Sequence, residues 1–92
     1  MQYFVVIGGG IEQIPMYKAL KNKGIKSIAI DINSKCPAKK YCDLFIKAST
    51  RNPSEILKKL KLLKKKLIGV STLGTDTPQT VSKVAKFFKL KA

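Results

Sequence analysis

Tyr3-Phe4-Val5-Val6-Ile7-Gly8-Gly9-Gly10-Ile11-Glu12-Gln13-Ile14-Pro15 is the stretch on which the fold turns. Five apolar residues run straight into three glycines, and helix-like sequence follows. A continuous apolar run suits a central parallel strand covered on both faces. Glycines at a strand-to-helix turn let backbone N–H groups approach a ligand with no Cβ in the way, and the helix start favours an anion. A second apolar run, Ala29-Ile30-Asp31-Ile32-Asn33, ends in a carboxylate about 20 residues further on. In outline that pairing is the nucleotide-binding βαβ pattern.

Working outward, the first strand covers about 2–7. A helix follows from about Ile11 to Asn22, with Pro15 in its first turn, where a missing N–H costs little. Its apolar residues Ile14, Met16, Ala19 and Leu20 sit near helical spacing, and Gly24 is its left-handed terminator. A second strand covers 27–32. An irregular stretch, 35–42, holds a helical turn starting at Pro37. A third strand, 43–47, is the weakest and the nearest to an edge. Asn52 caps a second helix ahead of Pro53 and Glu55, running to about Lys65. A fourth strand covers 67–71, and Pro78 opens a third helix that buries Val81, Val84, Ala85 and Phe88. Strands alternating with amphipathic helices predict an α/β, Rossmann-like open parallel sheet of about four strands, with helices on both faces. Residues 1–92 form one such domain. The segments after the four strands then gather on one edge, where ligands of such sheets bind.

Composition limits the alternatives. An apolar content of 45% fits a globular chain. No apolar run approaches the ~18 residues of a membrane span, and the first strand lacks a signal-peptide flank, so the expected location is the cytoplasm, with no membrane partner. The net charge of +14 resembles a nucleic-acid signal. Yet of 19 basic residues only Arg51 is arginine, and base and phosphate recognition leans on arginine's planar fork. The densest run, Lys58 to Lys66, carries apolar residues at helical spacing, which reads as a helix with a solvated lysine face. No specific nucleic-acid partner is expected. Cys36 and Cys42 lack a histidine or a second cysteine pair to complete a zinc site. They read as reduced thiols, with a disulfide between them as the alternative.

The candidate chemistry gathers in the loops. Gly8 and Gly10 fill the first two positions of G-x-G-x-x-G, but Gln13 stands at the third, which weakens a nicotinamide or flavin reading. Glu12 at the helix start would repel a pyrophosphate there. It serves either as a helix-terminal charge or as a contact to a substrate hydroxyl or amine. Asp31 either binds a ribose-like diol or forms a turn ahead of Asn33. Thr72-Leu73-Gly74-Thr75-Asp76-Thr77 is a polar loop in the place of a ligand-binding loop, and Asp76 or Thr77 is also a candidate cap for the third helix. Arg51 is either an anion contact or a surface residue. No catalytic set and no metal cluster is complete, so no catalytic residue and no metal ligand is assigned.

The four loops in their order and spacing, Val6 to Gln13, Ile30 to Asn33, Ala48 to Pro53 and Ser71 to Asp76, resemble the N-terminal, pre-ATP-grasp domain of ATP-grasp carboxylate–amine ligases, the group of biotin carboxylase, carbamoyl phosphate synthetase and purine-biosynthesis ligases. The resemblance covers nearly the whole chain. It implies a Rossmann-like domain on the acceptor-substrate side of an enzyme that activates a carboxylate as an acyl phosphate. ATP and magnesium are then held by later domains of the parent protein, and no cofactor by this chain. By this resemblance Gly9, Gly10, Glu12 and Gln13 would face a small-molecule substrate, with Asp31, Gly74, Thr75 and Asp76 near it; Gly8, Asn33 and Arg51, from the same loops, complete the candidate substrate-binding set. The chain alone would be inactive and would partner ATP-grasp domains of the same or another polypeptide. The alternative is a stand-alone nucleotide- or dinucleotide-binding module, for example for NAD. Open sheet edges also predict a two-fold homodimer.

Overall fold

A computed structural model of the chain describes residues 1–73 and 77–90. The four strands are β1 (Gln2–Ile7), β2 (Lys26–Asp31), β3 (Leu44–Lys47) and β4 (Lys66–Ser71). The three helices are α1 (Ile14–Asn22), α2 (Pro53–Leu63) and α3 (Pro78–Phe88). Short 3-10 turns sit at Ile11–Gln13 and Pro37–Tyr41. The sheet is wholly parallel, in the order β3-β2-β1-β4. The α/β fold expected from the sequence is the fold observed, and β3 lies at an edge as its weak apolar character predicts.

The apolar run of β1 is central because both its faces are covered. Val5, Val6 and Ile7 are fully buried. Val5 and Ile7 point into one core with Ile28, Ile30, Ile56, Leu60, Val70 and Val84, which α2 and α3 close. Val6 points into the other, with Tyr17, Leu20, Ala29 and Ala38, closed by α1 and the 3-10 turn at Pro37–Tyr41. Strand alternation thus feeds two cores from one run, and each buried aliphatic side chain contributes on the order of 1.5–3 kcal/mol.

The helix ends follow local chemistry. Asn52 caps α2 by accepting the Glu55 N–H at 3.2 Å, with proline in the first turn, as expected. Gly24 has φ 71° just past the end of α1. In β4 the pairing skips a residue: Tyr3 faces Leu67, Phe4 faces Gly69, and Ile68 is extra. Gly69 makes room for the Phe4 ring, since a Cβ there would lie 2.5 Å from Phe4 Cε2.

Two details of α1 differ from expectation. Its first turn is a 3-10 turn, with the α-helix proper starting at Ile14. Its buried stripe is Gln13, Tyr17 and Leu20, while Ala19 is exposed. The stripe still has helical spacing, but a glutamine and a tyrosine occupy it, and apolar counting passes over both.

Candidate functional site

A parallel sheet brings the carboxyl ends of all four strands to one edge, and the chain reverses its winding between β1 and β4. That point is where ligands of open α/β sheets enter. The three glycines lie beside it. Gly8 has φ 107°, a conformation that disfavours any side chain. Its N–H donates to the Ile30 carbonyl at 2.7 Å, and its own carbonyl accepts the buried Tyr17 hydroxyl at 2.8 Å. Gly9 donates its N–H to Asp31 Oδ2 at 2.8 Å, and its carbonyl accepts the Ala38 N–H at 2.8 Å. A Cβ on Gly9 would meet Cys36 Sγ at 2.5 Å. Gly8 and Gly9 are therefore buried within the fold, and their N–H groups are spent on protein acceptors.

Glu12 is exposed, and its carboxylate folds back over Gly10, close enough that a Cβ there would lie 2.6 Å from Oε1. Asp31 bridges two backbone donors, Gly9 through Oδ2 and Asn33 through Oδ1 at 2.9 Å. Asn33 in turn accepts the Lys35 N–H at 3.0 Å. Asp31 and Asn33 thus build the turn after β2. Two carboxylates, Asp31 and Glu12, flank a glycine turn whose first two N–H groups are engaged.

Gln13 spans the switch point. It is fully buried, and its Nε2 donates to Thr72 Oγ1 at 3.2 Å and to the Leu73 carbonyl. Its Oε1 accepts the Leu73 N–H at 2.8 Å. Thr72 Oγ1 also donates to the Ile7 carbonyl at 2.7 Å. The amide that the sequence places towards substrate is turned inward and joins the β1 turn to the β4 loop. Gly74, Thr75 and Asp76 lie outside the described residues.

Arg51 lies apart from the glycines. It is exposed, its N–H donates to Ser49 Oγ at 3.2 Å, and it lines a cavity with the first turn of α3. Among the sequence candidates the edge thus brings Gly8 to Gln13, Asp31 and Asn33 together and sets Arg51 at a second location. Tyr17 and the 3-10 turn at Pro37–Tyr41 were missed as parts of these sites, whereas Thr77, read as part of the polar loop and as a candidate cap, stands at the N-cap of α3 without a side-chain cap bond. For Tyr17 the signal is its place four residues after Gln13 on the buried face.

Burial pushes the Cys36 thiol above its usual range, and the Asp31 carboxylate adds to the shift. Burial raises the Cys42 thiol as well. Both cysteines are free thiols. Tyr17 is raised strongly, again mainly by burial. Among the described residues no group of three or more His, Cys, Asp or Glu is placed to hold a metal ion, and no helix is long and apolar enough to cross a membrane. Several lysines stack on rings: Lys18 and Lys40 lie 5.2 and 5.4 Å from the Tyr41 centroid, and Lys39 lies 5.0 Å from that of Phe45.

No family model and no curated protein matches the sequence. Solved structures do. Phosphoribosylglycinamide synthetase from Anaerococcus prevotii matches with a TM-score of 0.85 and 28% identity, over 98% of this chain and 23% of its own. The chain is similar to the pre-ATP-grasp domain of ATP-grasp ligases. That is the resemblance expected from the four loops. Two further ligases share the fold at lower identity. N5-carboxyaminoimidazole synthetase from Staphylococcus aureus, solved with ADP, has a TM-score of 0.62 and 24% identity, over 76% of this chain and 18% of its own. N5-carboxyaminoimidazole ribonucleotide synthetase from Thermotoga maritima has 0.58 and 22%, over 97% and 29%. This pre-ATP-grasp-like chain spans less than a third of the length of each ligase.

Proposed function

We propose that this chain is the substrate-side domain of an ATP-dependent ligase and is inactive alone. The observation that carries the reading is the match over 98% of the chain to 23% of a phosphoribosylglycinamide synthetase. The glycine turn supports the division of labour. With the Gly8 and Gly9 N–H groups engaged and Asp31 and Glu12 beside them, the turn suits hydroxyl or amine groups better than a polyphosphate. ATP and Mg2+ are then held by ATP-grasp domains in the same or another polypeptide, and the small-molecule acceptor meets this edge. The working location is the cytoplasm, nucleic acid is not a specific partner, and the open sheet edges favour a two-fold dimer.

The test is calorimetric titration of the 92-residue chain with ATP–Mg2+ and with NAD, at low and raised salt to separate binding by lysine charge. Neither nucleotide is expected to bind saturably at raised salt, and no ADP should form with carboxylate and amine acceptors present. Saturable NAD binding that Asp31→Ala abolishes would replace this reading with a stand-alone dinucleotide module. Sedimentation at high concentration checks the dimer, and a monomer throughout would remove that part.

A further inference from the structure

Arg51 follows β3 and Thr77 precedes α3. The two strands that lead to them lie at opposite ends of the sheet, but α2 and α3 pack together on one face. This brings both residues to one cavity of about 280 Å3, lined by Arg51, Thr77, Pro78, Gln79 and Thr80. Three properties converge there. The Arg51 guanidinium is permanently charged and presents a planar fork of donors. The N-terminus of α3, an 11-residue helix, opens into the same space and carries partial positive charge. Thr77 is only 4% exposed, and its buried Oγ1 has no hydrogen-bond partner among the described residues.

The contrast with α2 is informative. Asn52 spends its side chain on capping that helix. Thr77 occupies the same position before α3, yet its hydroxyl makes no cap bond to the first-turn N–H groups. Pro78 has no N–H, which leaves Gln79 and Thr80 as the donors of that turn. Among the described residues no carboxylate lines the cavity.

We infer that this cavity is an oxyanion subsite that takes a phosphoryl group, with Arg51 as the charged fork and the Thr77 hydroxyl and the α3 N-terminus as neutral donors. Its volume exceeds what a phosphoryl group alone fills, so it also admits part of an attached small molecule. Such a subsite serves a ligase domain and a stand-alone binding module alike, so it stands apart from the reading above.

The test is a 15N–1H NMR titration of the 92-residue chain with inorganic phosphate and, separately, glycerol 3-phosphate, at ionic strength held constant with chloride. Saturable shifts are expected at the Gln79 and Thr80 amides. Arg51→Gln, a change at an exposed residue, should weaken binding about tenfold. Thr77→Val should weaken it several-fold with the fold retained. Lys18→Gln, which removes the same charge from α1, should change nothing. Tighter binding of glycerol 3-phosphate than of phosphate identifies an esterified ligand, and the reverse order identifies free phosphate. Shifts that climb without saturating and scatter over the lysine surface would overturn the subsite. So would equal weakening by Arg51→Gln and Lys18→Gln.

Discussion

Gln13 and Leu73 are joined as two strand residues would be: the side-chain amide of one takes both the N–H and the carbonyl of the other. The glutamine thereby extends the pairing of β1 with β4 past the end of the ladder, into the loop where a ligand would enter. Replacing it with leucine keeps the bulk and removes the pairing. Gln13→Leu is expected to lower stability by about 2 kcal/mol, from two or more buried hydrogen bonds. Urea unfolding measures this, and an unchanged midpoint would mean that the pairing contributes nothing.

Asp31 is a structural carboxylate for the glycine turn. Asp31→Ala removes the acceptor of the buried Gly9 N–H and should cost about 1–3 kcal/mol. Asp31→Asn keeps one acceptor oxygen and should lose only part of that. If both variants unfold at the wild-type midpoint, the turn holds without Asp31.

Alkaline pH should destabilise the fold in two stages. The thiols of Cys36 and Cys42 are raised by burial in the folded state, so their contribution is complete below the ordinary thiol pKa of ~8.5. It is lost as pH rises past that value through the raised folded-state one. Tyr17 behaves in the same way from its ordinary value of ~10 upward, because burial holds its phenol protonated. Urea midpoints should fall from pH ~8.5 and fall faster beyond ~10. Tyr17→Phe should flatten the second stage, after an initial loss of about 1 kcal/mol at neutral pH for the Gly8 carbonyl left without its donor. A pH profile unaltered by Tyr17→Phe would count against this account.

Thr77→Val should raise the stability of the ligand-free chain by about 1 kcal/mol, since it replaces an unpartnered buried hydroxyl with a methyl of similar shape. Thermal unfolding without phosphate in the buffer is the measurement. A destabilised variant would show that the hydroxyl is satisfied in solution.

Much of the fold was legible in the sequence because its signals are local. Val5 to Ile7 had to be covered on both faces, Asn52-Pro53 had to start a helix, and Gly24 had to end one. The site was less legible because its bonds are long-range. Gln13 reaches a residue 60 positions away, and a sequence shows only that it fills the third position of a glycine motif. Asp31 reaches back 22 positions to Gly9. Local spacing admits both a diol-binding and a turn-building role for it, and the structure displays the second. Arg51 and Thr77 come to line one cavity only because α2 and α3 pack side by side, a fact of tertiary packing.

The extra residue in β4 bears on how copies of this chain can meet. Ile68 puts the outer rim of the sheet out of phase on that side, so a straight strand laid against it loses step after one or two bonds. The opposite rim, β3, is regular but only four residues long. Two copies joined back to back through β3 would leave only the irregular rims facing outward. Growth would then stop at a pair, and a highly apolar parallel sheet would be kept from templating a fibre.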